Sequence, residues 1–521
     1  MGCRLRVEAA SLAMLFVVAG CGASGQLGDP DAHAFDQLGF SVAIDGDRIL
    51  VGVAKSDTVD SNGGKALVYH RNGGVWSLVQ SLVASTPSLN ADFGWSVGIA
   101  GERAIVGTPN DHSIGPIFTG AAYIQELNGV WSEVAKVLVD TIDSSFYGST
   151  VAIDGDWAVV GAPFAPAPLF TGPGVAWVYR RNPGTGAWQL HEQLGASDAI
   201  DYIEFGRAVA IDGDVIVVGA EKGVKNNAII GGAVYVFRRQ GMSWNEEAKL
   251  TASDAAYHDR FGAAVDVSGD VILVGAKDND AQGAESGAAY IFEREAESAT
   301  WSQTQQLLGP GGDAGDQFGY AVSIDGARAI VGAWLADGEA ATTGTAHLYH
   351  RSGNSWAAGD TLQLPGGAYG DGFGASVAIS GDCAVVGAPN RDVNGLQNAG
   401  TAWVWCNLPG LAAPDFELDI ICCVEVPDPL GPVVITARFI NAGERTAIGR
   451  RWIEVVGPEG AVADAAGATA LAIPAGDSAV ERHPLRLPRS APAVDYEIRL
   501  HWQDGNGIRT RTTRVMRPAV R

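Results

Sequence analysis

A Phe-Gly pair, or a close variant of it, returns along the chain at nearly constant distance, with its glycine at Gly39, Gly94, Gly148, Gly206, Gly262, Gly319 and Gly374. The intervals are 55, 54, 58, 56, 57 and 55 residues. A period of this size marks one supersecondary unit that cannot bury its own apolar faces, so its copies must stack as a solenoid, propeller or array. Seven such copies are present, and their internal pattern decides between these architectures.

That pattern is β throughout. An alternating segment, such as 208–211 or 376–379, leads into a two-residue turn, read as Asp45-Gly46, Asp154-Gly155, Asp212-Gly213 and Asp325-Gly326, with a glycine suited to positive φ. A β-branched second strand follows (215–219, 384–387), then a variable loop, then a third strand that begins Gly-Ala or Gly-Thr and carries aromatics (232–239, 287–294, 400–406). A fourth strand opens on tryptophan and closes on leucine six residues later, as in 188–194, 244–250, 301–307 and 356–362. Four antiparallel strands per copy make a propeller blade. The predicted fold is therefore all-β: a seven-bladed β-propeller of four-stranded antiparallel blades over residues 22–407.

The two ends of the repeat fit each other. Gln26-Leu27 before Asp36-Gln37-Leu38-Gly39 parallels Gln306-Leu307 before Asp316-Gln317-Phe318-Gly319, whereas the seventh copy lacks its tryptophan strand after Cys406. The N-terminal strand is expected to complete the last blade, which removes the open edges of an unclosed ring.

Residues 1–21 read as an export signal, with Arg4 and Arg6 ahead of an apolar run at 12–19 that is short for a membrane span. The run ends Val18-Ala19-Gly20-Cys21, which resembles the bacterial lipoprotein box. That resemblance implies a lipid anchor on Cys21 and a place in the bacterial cell envelope, by analogy at the outer membrane or cell surface. Disulfides persist in such a compartment. Cys383 begins the second strand of the last copy and Cys406 ends its third, so antiparallel pairing sets them opposite, and a bridge between them is predicted. Cys422 and Cys423 could bridge each other, stay reduced or capture one of that pair. Residues 408–415 read as a linker. Short alternating runs over 416–521, separated by Pro, Gly and Asp, predict an Ig-like β-sandwich. Within it, 435–443 resembles a strand of the bacterial CARDB and related Ig-like domains.

The formal net charge is −24, and nearly all the excess acid lies before Pro409. Such a surface repels phosphate backbones, which excludes nucleic acid as a partner. A monomer is expected.

The units Phe205-Gly206, Phe261-Gly262, Phe318-Gly319 and Phe373-Gly374, with Gly161-Ala162-Pro163 and Gly387-Ala388-Pro389, resemble the FG-GAP repeat of integrin α-chain propellers. They resemble its shorter bacterial form more closely, over about 26–407. The integrin repeat carries a calcium loop of the form DxDxDGxxD, where this chain has only an Asp-Gly turn. Two other loops mimic that spacing and are the calcium candidates: Asn390, Asp392 and Asn394 in one, Asp278 and Asp280 in the other. Solvated Asx turns have the same composition, and calcium requires six to eight oxygens. No other cofactor is expected.

Catalytic patterns are absent from the sequence. Gly94-Trp95-Ser96-Val97-Gly98 has the form of a hydrolase elbow, but it is the second copy of the repeat, equivalent to 374–378. The nine histidines show no two-histidine metal spacing. The innermost strands offer mainly Ser, Ala, Val and Ile to the channel. The expected function is non-enzymatic: a membrane-anchored scaffold that binds a protein or glycan through the loops at 221–231, 390–399, 253–260 and 311–317. The alternative is a glycan-active lyase or hydrolase that uses the propeller as its scaffold.

Overall fold

The computed structural model describes residues 25–406, apart from 114–119, 139–144, 167–171, 226–227, 230 and 296–297, together with the strand backbone within 416–516. The chain divides into two units, Met1–Asn407 and Leu408–Arg521. In the second, Phe416–Asp419, Val433–Asn441 and Ser478–Leu485 form one antiparallel sheet. Val462–Ile473, Ala447–Val456, Asp495–Asp504 and Gly507–Met516 form another.

The first unit is a seven-bladed propeller of four-stranded antiparallel sheets. The innermost strands are Leu38–Asp45, Ser96–Ala100, Thr150–Asp154, Phe205–Asp212, Phe261–Ser268, Phe318–Asp325 and Ser376–Ser380, which number blades one to seven. Blade seven takes its outermost strand from the start of the described chain: Gly25–Leu27 runs antiparallel to Thr401–Cys406, with Gly25 opposite Val404 and Leu27 opposite Ala402. Cys383 and Cys406, register partners on the second and third strands of that blade, are joined by a disulfide. The loop after the second strand of blade four contains a small hairpin, Val224–Lys225 against Ala228–Ile229, where the sequence reading has only a variable loop.

The core lies between blades. Phe93, Phe205, Phe261 and Phe373 are wholly buried, and each meets an aromatic ring on the third strand of its own blade edge-on, as in Phe205–Tyr235 at 5.4 Å and Phe261–Tyr290 at 5.5 Å. The glycine that follows has positive φ, and a Cβ on Gly39 would lie 2.3 Å from the carbonyl oxygen of Thr401. Backbone contact with the neighbouring blade therefore admits no side chain there. The tryptophans that open the outermost strands are packing groups: Trp76, Trp131, Trp188, Trp244 and Trp356 are buried.

The Asp-Gly turns differ from their sequence reading by one residue. Asp45 pairs with Arg48, so the turn is Gly46-Asp47 and the aspartate is the last residue of the strand. Glycine at the first central position, with φ 54° at Gly46, fits a type II′ turn. This frees the aspartate to reach the neighbouring blade. Asp45 accepts the Gly101 N–H, Asp154 that of Gly213, Asp212 that of Gly269 and Asp325 that of Gly381, at 2.5–2.8 Å. Ser268 and Ser380 do the same for Gly326 and Gly46. Six of seven blade junctions are latched this way, and at the seventh the strand ends in Ala100.

Candidate functional site

Among the described residues, the strand-two to strand-three loops and the blade-to-blade connections lie on the face opposite those turns. The corner before each innermost strand is held in the left-handed region at Gln37, Asp92, Phe146, Glu204, Arg260, Gln317 and Gly372, with φ from 54° to 72°. Six of these are not glycine, an unusual concentration of strained backbone. The side chain after the repeat glycine follows at once: Phe40, Trp95, Ser149, Arg207, Ala263, Tyr320 and Ala375. These positions stand at the start of the innermost strands, the ones nearest the propeller axis, and the charges of Arg207 and Glu221 of blade four act on Tyr320 of blade six.

These residues surround the outward mouth of the channel. Phe40 and Trp95 pack at 4.6 Å between ring centroids, with the Lys55 ammonium 5.7 Å from the Trp95 centroid. Lys55 also donates to both Asp92 oxygens at 2.7 Å. On the other side, Trp334 stacks on Tyr320 at 4.9 Å and donates to Gln317, which donates to Asp278. Asp278 pairs with Lys277 and Arg260, and Arg260 donates to Glu221 at 2.6 Å. An arc of bonds thus runs from blade six to blade four.

Burial alone raises Glu221, but Arg207, Arg260 and Lys277 outweigh it and hold the carboxyl below the ordinary glutamate range. Its neighbour Glu204 is displaced upward, by burial first and then by the Glu221 charge, against the Lys222 ammonium. Burial also raises Asp92 despite Lys55 and Asn110.

Around this mouth stand the exposed aromatics. Among the described residues, the aromatic side chains more than about a third exposed are Phe35, Phe146, Phe164, Tyr202, Tyr257 and Tyr369. All six lie in loops of this face, five of them within four residues before the Phe, Tyr or Leu of the repeat pair. Sequence reading assigned binding to outward loops and passed over their aromatics. The signal was the offset itself, an aromatic at one to four positions before the repeat pair.

The sequence-derived candidates fall as follows. Asp278 belongs to the mouth network, whereas Asp280 accepts the Glu285 N–H within its own loop. Asn390 accepts from Gln37, Asp392 accepts the Asn398 N–H, and Asn394 sits in the left-handed region of a tight loop closed between Val393 and Leu396. The two sets of calcium candidates therefore turn to different partners, and among the described residues no three His, Cys, Asp or Glu side chains are grouped as a metal site would need. Ser96 is a blade-to-blade tie: its hydroxyl donates to the Gly148 carbonyl, as Ser41 does to Gly94 and Ser376 to Gly39. Cys21, Cys422 and Cys423 lie outside the described residues.

The channel carries more than small and apolar groups. Asp266, on the innermost strand of blade five where other blades have Ala, Gly or Ser, accepts the N–H groups of Ile324 and Val267. Burial pushes its pKa up to about 6, with the Asp212 charge adding.

The sequence profile described as FG-GAP repeat matches residues 24–69, 76–125, 188–237, 244–292, 301–349 and 356–405. These matches cover more than half of the chain. It belongs to the FG-GAP repeat family. Each match starts on or near the outermost strand of one blade and ends on the third strand of the next, so the sequence repeat is offset from the structural blade by one strand. The first three strands of blade three of this FG-GAP propeller fall between matches, with Tyr147 in place of phenylalanine, yet the blade has the same four strands. No curated protein matches the chain. Among solved structures, the crystal structure of Saccharomyces cerevisiae Sqt1 is similar at 11% identity and a TM-score of 0.39, over 79% of this chain and 94% of that one.

Proposed function

We propose that this FG-GAP propeller is a non-enzymatic binding protein of the bacterial cell envelope, anchored through a lipid on Cys21, which engages a protein or glycan partner with its outward loops. The C-terminal unit serves in this reading as an Ig-like spacer or second contact. The observation that carries it is the concentration of the exposed aromatics on one face, around a mouth rich in Trp, Tyr and Arg. Such side chains supply large contact area at low entropic cost and dominate binding hot spots. The left-handed corners and the bonded arc hold the mouth in place, as preorganised binding requires.

The test is capture of a partner from an envelope extract by the intact protein and by a Tyr202→Ala/Tyr257→Ala/Tyr369→Ala variant. The variant is expected to lose at least about tenfold in retention, the scale of one lost hot spot. Unchanged capture, or capture that rests wholly on residues 416–521, would overturn the reading. Metabolic lipid labelling that survives Cys21→Ala would remove the anchor. Tyr320 within the field of the Arg207 charge is the observation that favours the rival lyase or hydrolase reading. Turnover of a polysaccharide abolished by Tyr320→Phe would establish that rival instead.

A further inference from the structure

A pocket of about 230 Å³ opens on blade six, beneath the connection that enters it from blade five. Its lining includes Gly309, Asp316, Asp337, Thr345, His347 and Thr361. The repeat supplies its own controls for this pocket, because the same positions can be followed in other blades.

Blade one is the nearest match. Tyr69 donates to the Gly28 carbonyl as Tyr349 does to that of Leu308, both at 2.8 Å, which aligns Asp29 with Gly309. Register against the second strand aligns Lys65 with Thr345 and Leu67 with His347. In blade one this space is filled from within: the Lys65 ammonium lies 2.6 Å from Asp29, both side chains almost wholly buried, and its charge also acts on Asp36. Asp36 aligns with Asp316.

The equivalent loop aspartates elsewhere also have partners. Asp259 of blade five receives the Asn279 amide, and Asp371 of blade seven receives Arg391. In blade six the position of Asn279 and Arg391 is Ala336. Asp316 accepts the Asp313 N–H and, among the described residues, no side-chain donor. Burial raises its pKa, and the charges of Asp313 and Asp337 add to the shift without a cation to oppose them. In blades four and five a tyrosine at the His347 position crosses to a loop aspartate, Tyr235 to Asp198 and Tyr290 to Asp254. His347 is shorter, and its two nitrogens are taken by Thr345 and Thr361 at 2.9 and 3.1 Å. Burial lowers its pKa to about 4, so it adds no positive charge near neutrality.

We infer that the blade-six pocket binds a ligand bearing an alkyl ammonium group, which takes the place that the Lys65 side chain occupies in blade one. Half-buried Asp316 supplies the counter-charge, exposed Asp337, which accepts the Thr342 N–H, adds to it from the rim, and the Phe318 and Ala336 side gives the apolar contact for the alkyl chain. A buried or half-buried carboxylate gains most from a cation that also donates hydrogen bonds. This site shares the 311–317 loop with the outward face but is lined by none of its exposed aromatics, and it does not depend on the partner proposed for them.

Calorimetric titration of the intact protein with n-butylammonium, with neutral N-butylacetamide and with Nα-acetyl-lysine methylamide tests it. Butylammonium is expected to bind at millimolar concentration, N-butylacetamide at least about tenfold more weakly, and Asp316→Asn to weaken the ammonium by a similar factor. Thr345→Lys, which brings the blade-one ammonium towards Asp316 without the Asp29 carboxylate that Gly309 replaces, is expected to abolish binding while the protein still folds. Tighter binding of butylammonium than of the lysine derivative assigns a free amine, and the reverse assigns a lysine side chain presented by a peptide. No ammonium binding, equal binding of the neutral amide, or full binding by folded Thr345→Lys would each overturn the inference.

Discussion

Asp266 shows what one side chain can contribute against the pattern of its repeat. Four blades place alanine at its position, at Ala43, Ala152, Ala210 and Ala378, and one places Gly98. The carboxylate is stabilised by two backbone N–H groups, yet burial prevails and its pKa rises to about 6. A carboxyl raised in the folded state binds its proton more tightly there than in the unfolded chain. Folding stability contributed by this group is therefore greatest below the unfolded value and falls as pH climbs through about 6. The melting temperature of Asp266→Ala relative to wild type should accordingly be higher at pH 7 than at pH 4.5. The contrast is of order 2 kcal/mol before allowance for its partial exposure in the channel. A relative melting temperature that does not change with pH would show that the carboxylate is fully solvated. The residue lay in plain view in the sequence, on a strand read as Ser, Ala, Val and Ile. Only the position of the axis shows that it is enclosed.

Between blades the recurring device is the hydrogen bond from a turn glycine to the last side chain of the preceding blade's innermost strand. It explains why aspartate or serine precedes the turn glycine in six copies: the oxygen serves the next blade, whereas the turn itself needs only the glycine. Sequence reading located the turns and assigned their glycines to positive φ, but placed the aspartate inside the turn. Hairpin propensity could not separate these registers, because Asp-Gly suits a type I′ turn as well. Blade two is the natural exception. Ala100→Ser should supply the missing oxygen to the Gly155 N–H and add about 0.5–1 kcal/mol, read as a small rise in the midpoint of urea unfolding. No gain, or a loss, would mean that Gly155 already has an adequate partner. The mouth was less legible than the turns, since its network joins residues of different blades that have no fixed spacing in the chain.

For the molecule as a whole, closure rests on three residues. Gly25–Leu27 covers the edge of Thr401–Cys406, and Gln26 adds a side-chain bond to Thr401 at 3.1 Å. Deleting 25–27 should leave a strand edge open, giving a broader unfolding transition and concentration-dependent association in sedimentation. A variant that melts as sharply as wild type and stays monomeric would show that the disulfide and latches suffice. The frame of closure was readable from the sequence because both ends of the repeat were incomplete in complementary ways. The ring of carboxylates at the turn end was not. Asp325 is raised by burial first, with Asp45 and Asp212 adding, and these groups lie in three different blades.

Synthesis runs from one end, and this gives the closing strand a particular history. Gly25 leaves the ribosome among the first residues of the propeller, but Val404, its partner, is made 379 positions later. Until then every completed blade can dock on the one before it, while the opening segment has nothing to pair with. The earliest part of the propeller to be made is thus the last to find its place, and a nascent chain halted anywhere short of Cys406 carries a solvent-exposed tail at one end and an unfinished sheet at the other.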